Sequence, residues 1–322
     1  MTTPGGPPLL ILGVRRSGTT LLRVMLDRHS QLAVPDESYF VPQLADRHLR
    51  GIDPVAFLDD LARVDTVREW GVPVEQVHAR LRAGMPVGEA IGVVYQLYAE
   101  RAGKRRWGDK TPMYMQNLRL LERLFPDALF LHLIRDGRDA ALSFLSVPKG
   151  IMTETWAHPR TAVDFAAQWR LEVGAARRLG RRVGSGRYLE VRYEDLVADA
   201  AAALRRICDF ASLPYEEAML DYIGVDVSAK PHQHSLKRPP TPGLRDWRTQ
   251  MSTAEVEAFE AVAGDLLAEL GYDVHGGGRP PGERARALAR RASYRSRAAA
   301  WRGASFALRR SPMWRRRHPR LS

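Results

Sequence analysis

Leu9-Leu10-Ile11-Leu12-Gly13-Val14-Arg15-Arg16-Ser17-Gly18-Thr19-Thr20-Leu21-Leu22-Arg23-Val24-Met25-Leu26 decides the fold. The unbroken apolar run at 9–12 is the pattern of a strand covered on both faces. After the glycine-containing turn, Leu21, Leu22, Met25 and Leu26 fall on one helical face, with Arg23, Asp27 and Arg28 elsewhere. The stretch reads strand, loop, helix.

The same alternation continues outward. A short strand is expected at 31–34, and 37–105 reads as mostly helical with breaks near Pro54, Pro73 and Pro86. A second apolar strand at 128–134 runs into Arg135-Asp136-Gly137 and a helix through about Val147. A long helix at 162–182, a strand at 187–191 and helices at 198–211 and 252–270 follow; Ser252 and Glu255 have capping-box spacing. Strands alternating with helices predict an α/β fold, a P-loop-type parallel sheet with helices on both faces. Such sheets bind ligands at the carboxyl ends of their strands.

Net charge is +12, but residues 279–322 hold fourteen arginines and one glutamate, so 1–278 sum to about −1. The chain divides accordingly into a body at 1–278 and a basic tail at 279–322. Gly276-Gly277-Gly278 and Pro280-Pro281 mark the boundary. Tyr294, Ala298, Trp301, Ser305 and Leu308 recur in the tail at helical spacing among arginines. That pattern fits an amphipathic helix on an anionic membrane, a nucleic-acid contact or a solvated extension. Nucleic acid is the least expected of the three. The sequence has no run of eighteen apolar residues and no signal-peptide pattern around 9–14. Cys208, the single cysteine, excludes intramolecular disulfides and reads as a core residue of a chain from a reducing cytoplasm, with peripheral membrane contact through the tail.

The loop Gly13-Val14-Arg15-Arg16-Ser17-Gly18-Thr19-Thr20 keeps the glycine spacing G-x-x-x-x-G-K-[ST], with Thr20 at the Ser/Thr position and Thr19 in place of the lysine. Backbone amides at a helix N-terminus bind an anion whatever the side chains. The lysine has the narrower task of reaching the β- and γ-phosphates of a nucleoside triphosphate. Its absence argues against an ordinary ATPase or kinase, while Arg15 and Arg16 offer guanidinium forks to a compact phosphate or sulfate.

Arg16-Ser17-Gly18-Thr19-Thr20-Leu21 resembles the 5′-phosphosulfate loop of sulfotransferases that use 3′-phosphoadenosine 5′-phosphosulfate (PAPS), and 13–37 is similar to the branch holding tyrosylprotein sulfotransferases and bacterial relatives. The resemblance implies that Arg15, Arg16 and the segment Ser17, Gly18, Thr19 and Thr20 hold the phosphosulfate. It implies that Arg135 and Ser143, a strand-end arginine and a serine two helical turns on, grip the 3′-phosphate. Arg138 is read either as a further contact or as the partner of a helix acid. Tyr193, in Val191-Arg192-Tyr193-Glu194-Asp195-Leu196, would touch the nucleotide, and Lys237, Gly243 and Arg245 would belong to a loop closing over the donor. Glu37 would be the base that deprotonates the acceptor, with Asp36 capping the following helix. Lys110, in Trp107-Gly108-Asp109-Lys110-Thr111-Pro112, would neutralise transition-state charge beside Arg16. His29, His132, His232 and His234 are alternative bases, though His132 sits in an apolar strand and reads as core.

The expected reaction is metal-free transfer of a sulfuryl group from PAPS to a hydroxyl of a glycan, lipid or small metabolite. The tyrosine-peptide branch follows its glutamate with arginines, where this chain has Tyr39 and Gln43. A P-loop kinase would need a lysine substitute and a magnesium-holding acid; a non-catalytic basic module, binding membrane or nucleic acid, would have no use for Glu37.

Overall fold

The computed structural model describes residues 5–148, 158–222, 245–275 and 281–310. Its centre is a five-stranded, wholly parallel sheet: β1 (Leu9–Leu12), β2 (Leu32–Ala33), β3 (Arg106–Lys110), β4 (Leu129–Ile134) and β5 (Tyr188–Arg192), in the order β2-β3-β1-β4-β5. The register pairs Leu9 with Gly108 and Leu129, and Ile134 with Arg192. All five carboxyl ends therefore open on one edge of the sheet.

Alternate strand residues supply two cores. Leu10, Leu12, Phe130 and Ile134 join one, with Phe165, Trp169 and Val173 of the long helix Ala162–Val183 and Phe259 of the helix Thr253–Glu269. Leu9, Ile11, Leu131 and Leu133 join the other, with Leu22 and Met25 of the helix Thr19–Asp27 and Leu204, Ile207 and Cys208 of the helix Ala200–Ala211. Burial on both faces explains the unbroken apolar runs. Thr161 caps the long helix by accepting from the Asp164 amide, and the Ser252–Glu255 capping box forms as expected.

Three features depart from the expectations. β3 is a strand the periodicity does not show, because Arg106, Asp109 and Lys110 are charged and yet buried. The helix expected at 198–211 forms as Ala200–Ala211, capped by Asp199, but a further short helix, Tyr193–Ala198, precedes it directly after β5. Asp36 does not cap the following helix: Val41–Arg47 has Phe40 at its N-cap, and Asp36 pairs with Arg23 at 3.1 Å.

Within the tail, Pro281–Arg310 is a helix lying on the body, against Val41–Arg47, Ala162–Val183 and Thr253–Glu269. Ala287, Tyr294 and Ala298 are buried in that contact. Arg291 Nε donates to the Val262 carbonyl at 2.8 Å and Arg297 pairs with Asp164 at 3.8 Å. The inward stripe at Tyr294 and Ala298, which alone would suit a membrane or solvent, is thus already covered by the protein itself. This part of the tail is no free extension. Among the described residues, no helix is long and apolar enough to cross a membrane.

Candidate active site

Each strand delivers one candidate residue to the open edge. β1 leads into the Arg15-Arg16 loop, β2 into Glu37, β3 ends on Lys110, β4 is followed by Arg135, and β5 by Tyr193. Residues spread over 179 positions meet because parallel strands share a direction.

Glu37 and Lys110 form an ion pair, and Lys110 Nζ also donates to Thr20 Oγ1 at 3.2 Å. The loop that lacks a lysine of its own thus receives an ammonium from the neighbouring strand. Burial lowers the Lys110 pKa, and the Glu37 charge opposes that shift. The Tyr39 hydroxyl donates to the other Glu37 oxygen; burial, then the charge of Glu37, pushes the phenol pKa up. Tyr39 holds a left-handed backbone, φ 55°, directly after this pair.

Behind Glu37 lies a buried polar hub that the sequence reading does not find. The fully enclosed Asp109 carboxylate accepts from Tyr95 at 2.7 Å, Ser38 at 2.8 Å and Thr111 at 3.2 Å, and Ser38 Oγ reaches Tyr114 Oη at 2.7 Å. The Ser38 amide donates to Thr111 at 3.0 Å. Burial raises the Asp109 pKa to about 6, while its hydroxyl donors resist that shift. Ser38 adjoins Glu37 and Asp109 adjoins Lys110, so the hub sets the distance across the ion pair. The one sequence signal was Asp109 itself, next to a residue already singled out.

In the phosphate loop, Gly18 takes φ 88° as the N-cap of Thr19–Asp27, and Arg16 takes φ 71°. A Cβ on Gly18 would lie 2.3 Å from the Tyr193 ring, so only glycine admits that ring over the loop. The first amides of the helix have no partner within it. Arg16 Nε donates to Ser143 Oγ at 3.1 Å, and Arg135 donates to the Arg16 carbonyl at 3.3 Å. The two anion sites expected separately are therefore hydrogen-bonded to each other. Arg135 lies 4.7 Å from the Tyr193 ring centroid. Burial, then the charges of Arg135 and Arg245, lower the Arg16 pKa; Arg245 donates to Ser146 at 3.0 Å. Three guanidiniums thus converge at one end of the sheet. Ser17 Oγ and Arg135 Nε are buried with no hydrogen-bond partner among the described residues. A polyanion that supplies acceptor oxygens fits this donor set.

The model of the sulfotransferase family matches residues 7–217. The chain belongs to the sulfotransferase family. It is 28% identical over 280 residues to protein-tyrosine sulfotransferase A of Caenorhabditis elegans, covering 83% of this chain and 67% of that one. Over 293 residues it is 28% identical to nodulation protein NoeE of Sinorhizobium fredii, covering 82% and 65%. The chain thus spans about two thirds of the length of these curated relatives. Among solved structures, the sulfotransferase domain of the Synechococcus PCC 7002 olefin synthase superposes with a TM-score of 0.58 at 28% identity, over 85% of this chain and 97% of that domain.

Other candidates of this sulfotransferase separate clearly. Arg15 lies with its guanidinium carbon 5.2 Å from the Phe144 ring centroid. Arg138 has a structural role: it is fully buried, pairs with Asp136 and Glu260 at 2.7 Å each, and stacks 3.6 Å from the Trp247 ring. His132 bonds Tyr188 Oη at 2.7 Å, and burial lowers its pKa to about 3, which makes it a neutral core residue. His29 is likewise buried, at 2.8 Å from the Pro214 carbonyl. Lys237, Gly243, His232 and His234 lie outside the described residues.

Proposed function

We propose that this sulfotransferase moves the sulfuryl group of PAPS onto an acceptor hydroxyl, with Glu37 as base and Lys110 and Arg16 as the cations at the reacting centre. The observation that carries the reading is the joined donor set. Arg16 and Ser143, 3.1 Å apart, link the loop after β1 to the helix after β4, with the Glu37–Lys110 pair beside them. An adenosine with anionic groups on both its 3′ and 5′ sides needs two such clamps.

In the reaction, the bond from sulfur to the bridging phosphate oxygen breaks as the acceptor oxygen bonds to sulfur. The acceptor proton passes to Glu37, and the departing phosphate charge faces Arg16 and Lys110. Each of these groups is preset by the fold: Glu37 by Ser38 and the hub, Lys110 by β3, Arg16 by Ser143. Ser17, Thr19, Thr20, Arg135, Tyr193 and Arg245 complete the donor site in this reading, in a body at 1–278 located in the cytoplasm.

The acceptor we propose is a glycan, lipid or small-metabolite hydroxyl. Tyr39 is bonded to Glu37 at the place where a peptide-binding arginine would be needed. The similarity to protein-tyrosine sulfotransferases supports a peptide tyrosine as the second reading. Radiolabelled PAPS added to a cell extract distinguishes them by showing which molecule becomes labelled. Calorimetry tests the donor: 3′,5′-diphosphoadenosine should bind in EDTA far more tightly than ATP, and preference for ATP or a need for magnesium would refute the assignment. Glu37→Gln should abolish transfer with nucleotide affinity retained; full activity would return the base to the histidines.

A further inference from the structure

The helix Pro281–Arg310 turns an apolar stripe inward, and Arg286, Arg290, Arg295 and Arg302 are exposed among its alanines and serines. Arg286, Arg290 and Arg295 are exposed and, among the described residues, have no carboxylate within ion-pairing distance. The helix Ala162–Val183 packs against both Pro281–Arg310 and Leu118–Leu124, and its Arg178 and Arg181, with Arg119 of the latter, are exposed on the side of Arg295. Arg182 joins them, paired with Glu122 at 2.7 Å. The crowding is close enough that burial and then Arg181, Arg295, Arg182 and Arg119 all depress the Arg178 pKa. Like charges gathered from three helices oppose one another in the free protein. An outside anionic partner relieves that opposition.

The geometry of the cluster selects the kind of partner. Thirty residues of helix form a ridge roughly 45 Å long, laid flat on the body. Leu288, 60% exposed, and Phe306, 39% exposed, share a stripe with Arg295 and Arg302. Long basic side chains beside exposed apolar ones along the ridge suit a planar surface with anionic headgroups and an apolar interior. A nucleic-acid phosphate backbone would have no use for Leu288 and Phe306. We infer that the flank of the helix Pro281–Arg310 carrying Leu288, Arg295, Arg302 and Phe306, with Arg119, Arg178, Arg181 and Arg182, is a docking face for an anionic phospholipid bilayer. Binding there is mainly electrostatic adsorption, because the stripe that would insert is already buried against the protein.

Flotation of the full chain with vesicles tests this, using phosphatidylcholine alone or with about 30% phosphatidylglycerol. Wild-type protein should float with the anionic vesicles and not with the neutral ones, and be released as salt rises. Each arginine near an anionic surface contributes about fivefold in partition, so Arg178→Glu/Arg181→Glu/Arg295→Glu should lower it by about a hundredfold or more. Arg50→Glu/Arg82→Glu/Arg101→Glu, with the same change in net charge elsewhere, should keep most of the binding. Unchanged affinity for 3′,5′-diphosphoadenosine shows that both variants are folded. Equal flotation of the two variants, or equal binding to neutral vesicles, would overturn the inference. So would a face that binds duplex DNA at physiological salt while ignoring anionic vesicles.

Discussion

Replacing Arg138 by methionine removes the group that ties the strand end after β4 to the last body helix. Arg138 is fully buried and donates to Asp136, to Glu260 and to the Asp273 carbonyl at 2.7 Å each, while its face covers Trp247. Both carboxylates are themselves buried, at 4% and 1% exposure, so neither can turn to water when the arginine is lost. Removing one partner of a buried pair costs about 3–5 kcal/mol, and the lost stacking on Trp247 adds on the order of 1 kcal/mol. An expected total of about 4–6 kcal/mol corresponds to roughly a thousandfold to ten-thousandfold in the unfolding equilibrium. Urea unfolding followed by tryptophan fluorescence measures it. Arg138→Lys keeps the charge without the planar fork and should fall between. The decisive arm is Arg138→Met/Glu260→Gln: if the cost is an uncompensated buried charge, neutralising Glu260 recovers part of the loss. A loss below about 1 kcal/mol, the range of an exposed pair, or no recovery in the double variant would refute the argument.

Two further expectations concern the site. Gly18→Ala places a Cβ 2.3 Å from the Tyr193 ring at a φ of 88° and should weaken 3′,5′-diphosphoadenosine at least tenfold by calorimetry. Gly84→Ala, at φ 75° with open space around it, carries similar strain and should leave that affinity unchanged. Asp109→Asn should slow transfer with nucleotide affinity retained, because the hub holds Ser38 and not the donor loop. Its stability effect has a definite sign. The folded Asp109 pKa of about 6 lies above its ordinary 3.8, so its favourable contribution is complete below about pH 4 and lost by pH 6. The difference is roughly 3 kcal/mol. Melting curves across that window should fall with pH in the wild type more steeply than in the variant.

Much of this molecule is legible without coordinates. The apolar runs at Leu9–Leu12 and 128–134 read as buried parallel strands because both of their faces are covered, which leaves His132 as their one polar position. The phosphate loop is equally plain, since its glycine spacing and its arginines are adjacent in the chain. β3 was invisible for the opposite reason. Its charged residues find most of their partners far off in the chain: Lys110 pairs with Glu37, Asp109 accepts from hydroxyls of Tyr95, Ser38 and Thr111, and Arg106 donates to the Ala211 carbonyl. No local pattern records those.

Tertiary structure alone decided how the pieces meet. Sequence placed Arg16 and Ser143 in two separate clamps; the parallel register brings them to 3.1 Å, because β1 and β4 are neighbours that end side by side. The tail shows the same division. Its charge and helical spacing are properties of the local chain, so sequence by itself determined a basic tail with helical periodicity and left open whether it is a docked helix or a solvated extension. Which way its apolar stripe faces depends on whether the body offers a surface to bury it, and Tyr294 and Ala298 find one. The arginines are left outside because a charge is costly to bury without a partner, whereas apolar atoms gain from leaving water.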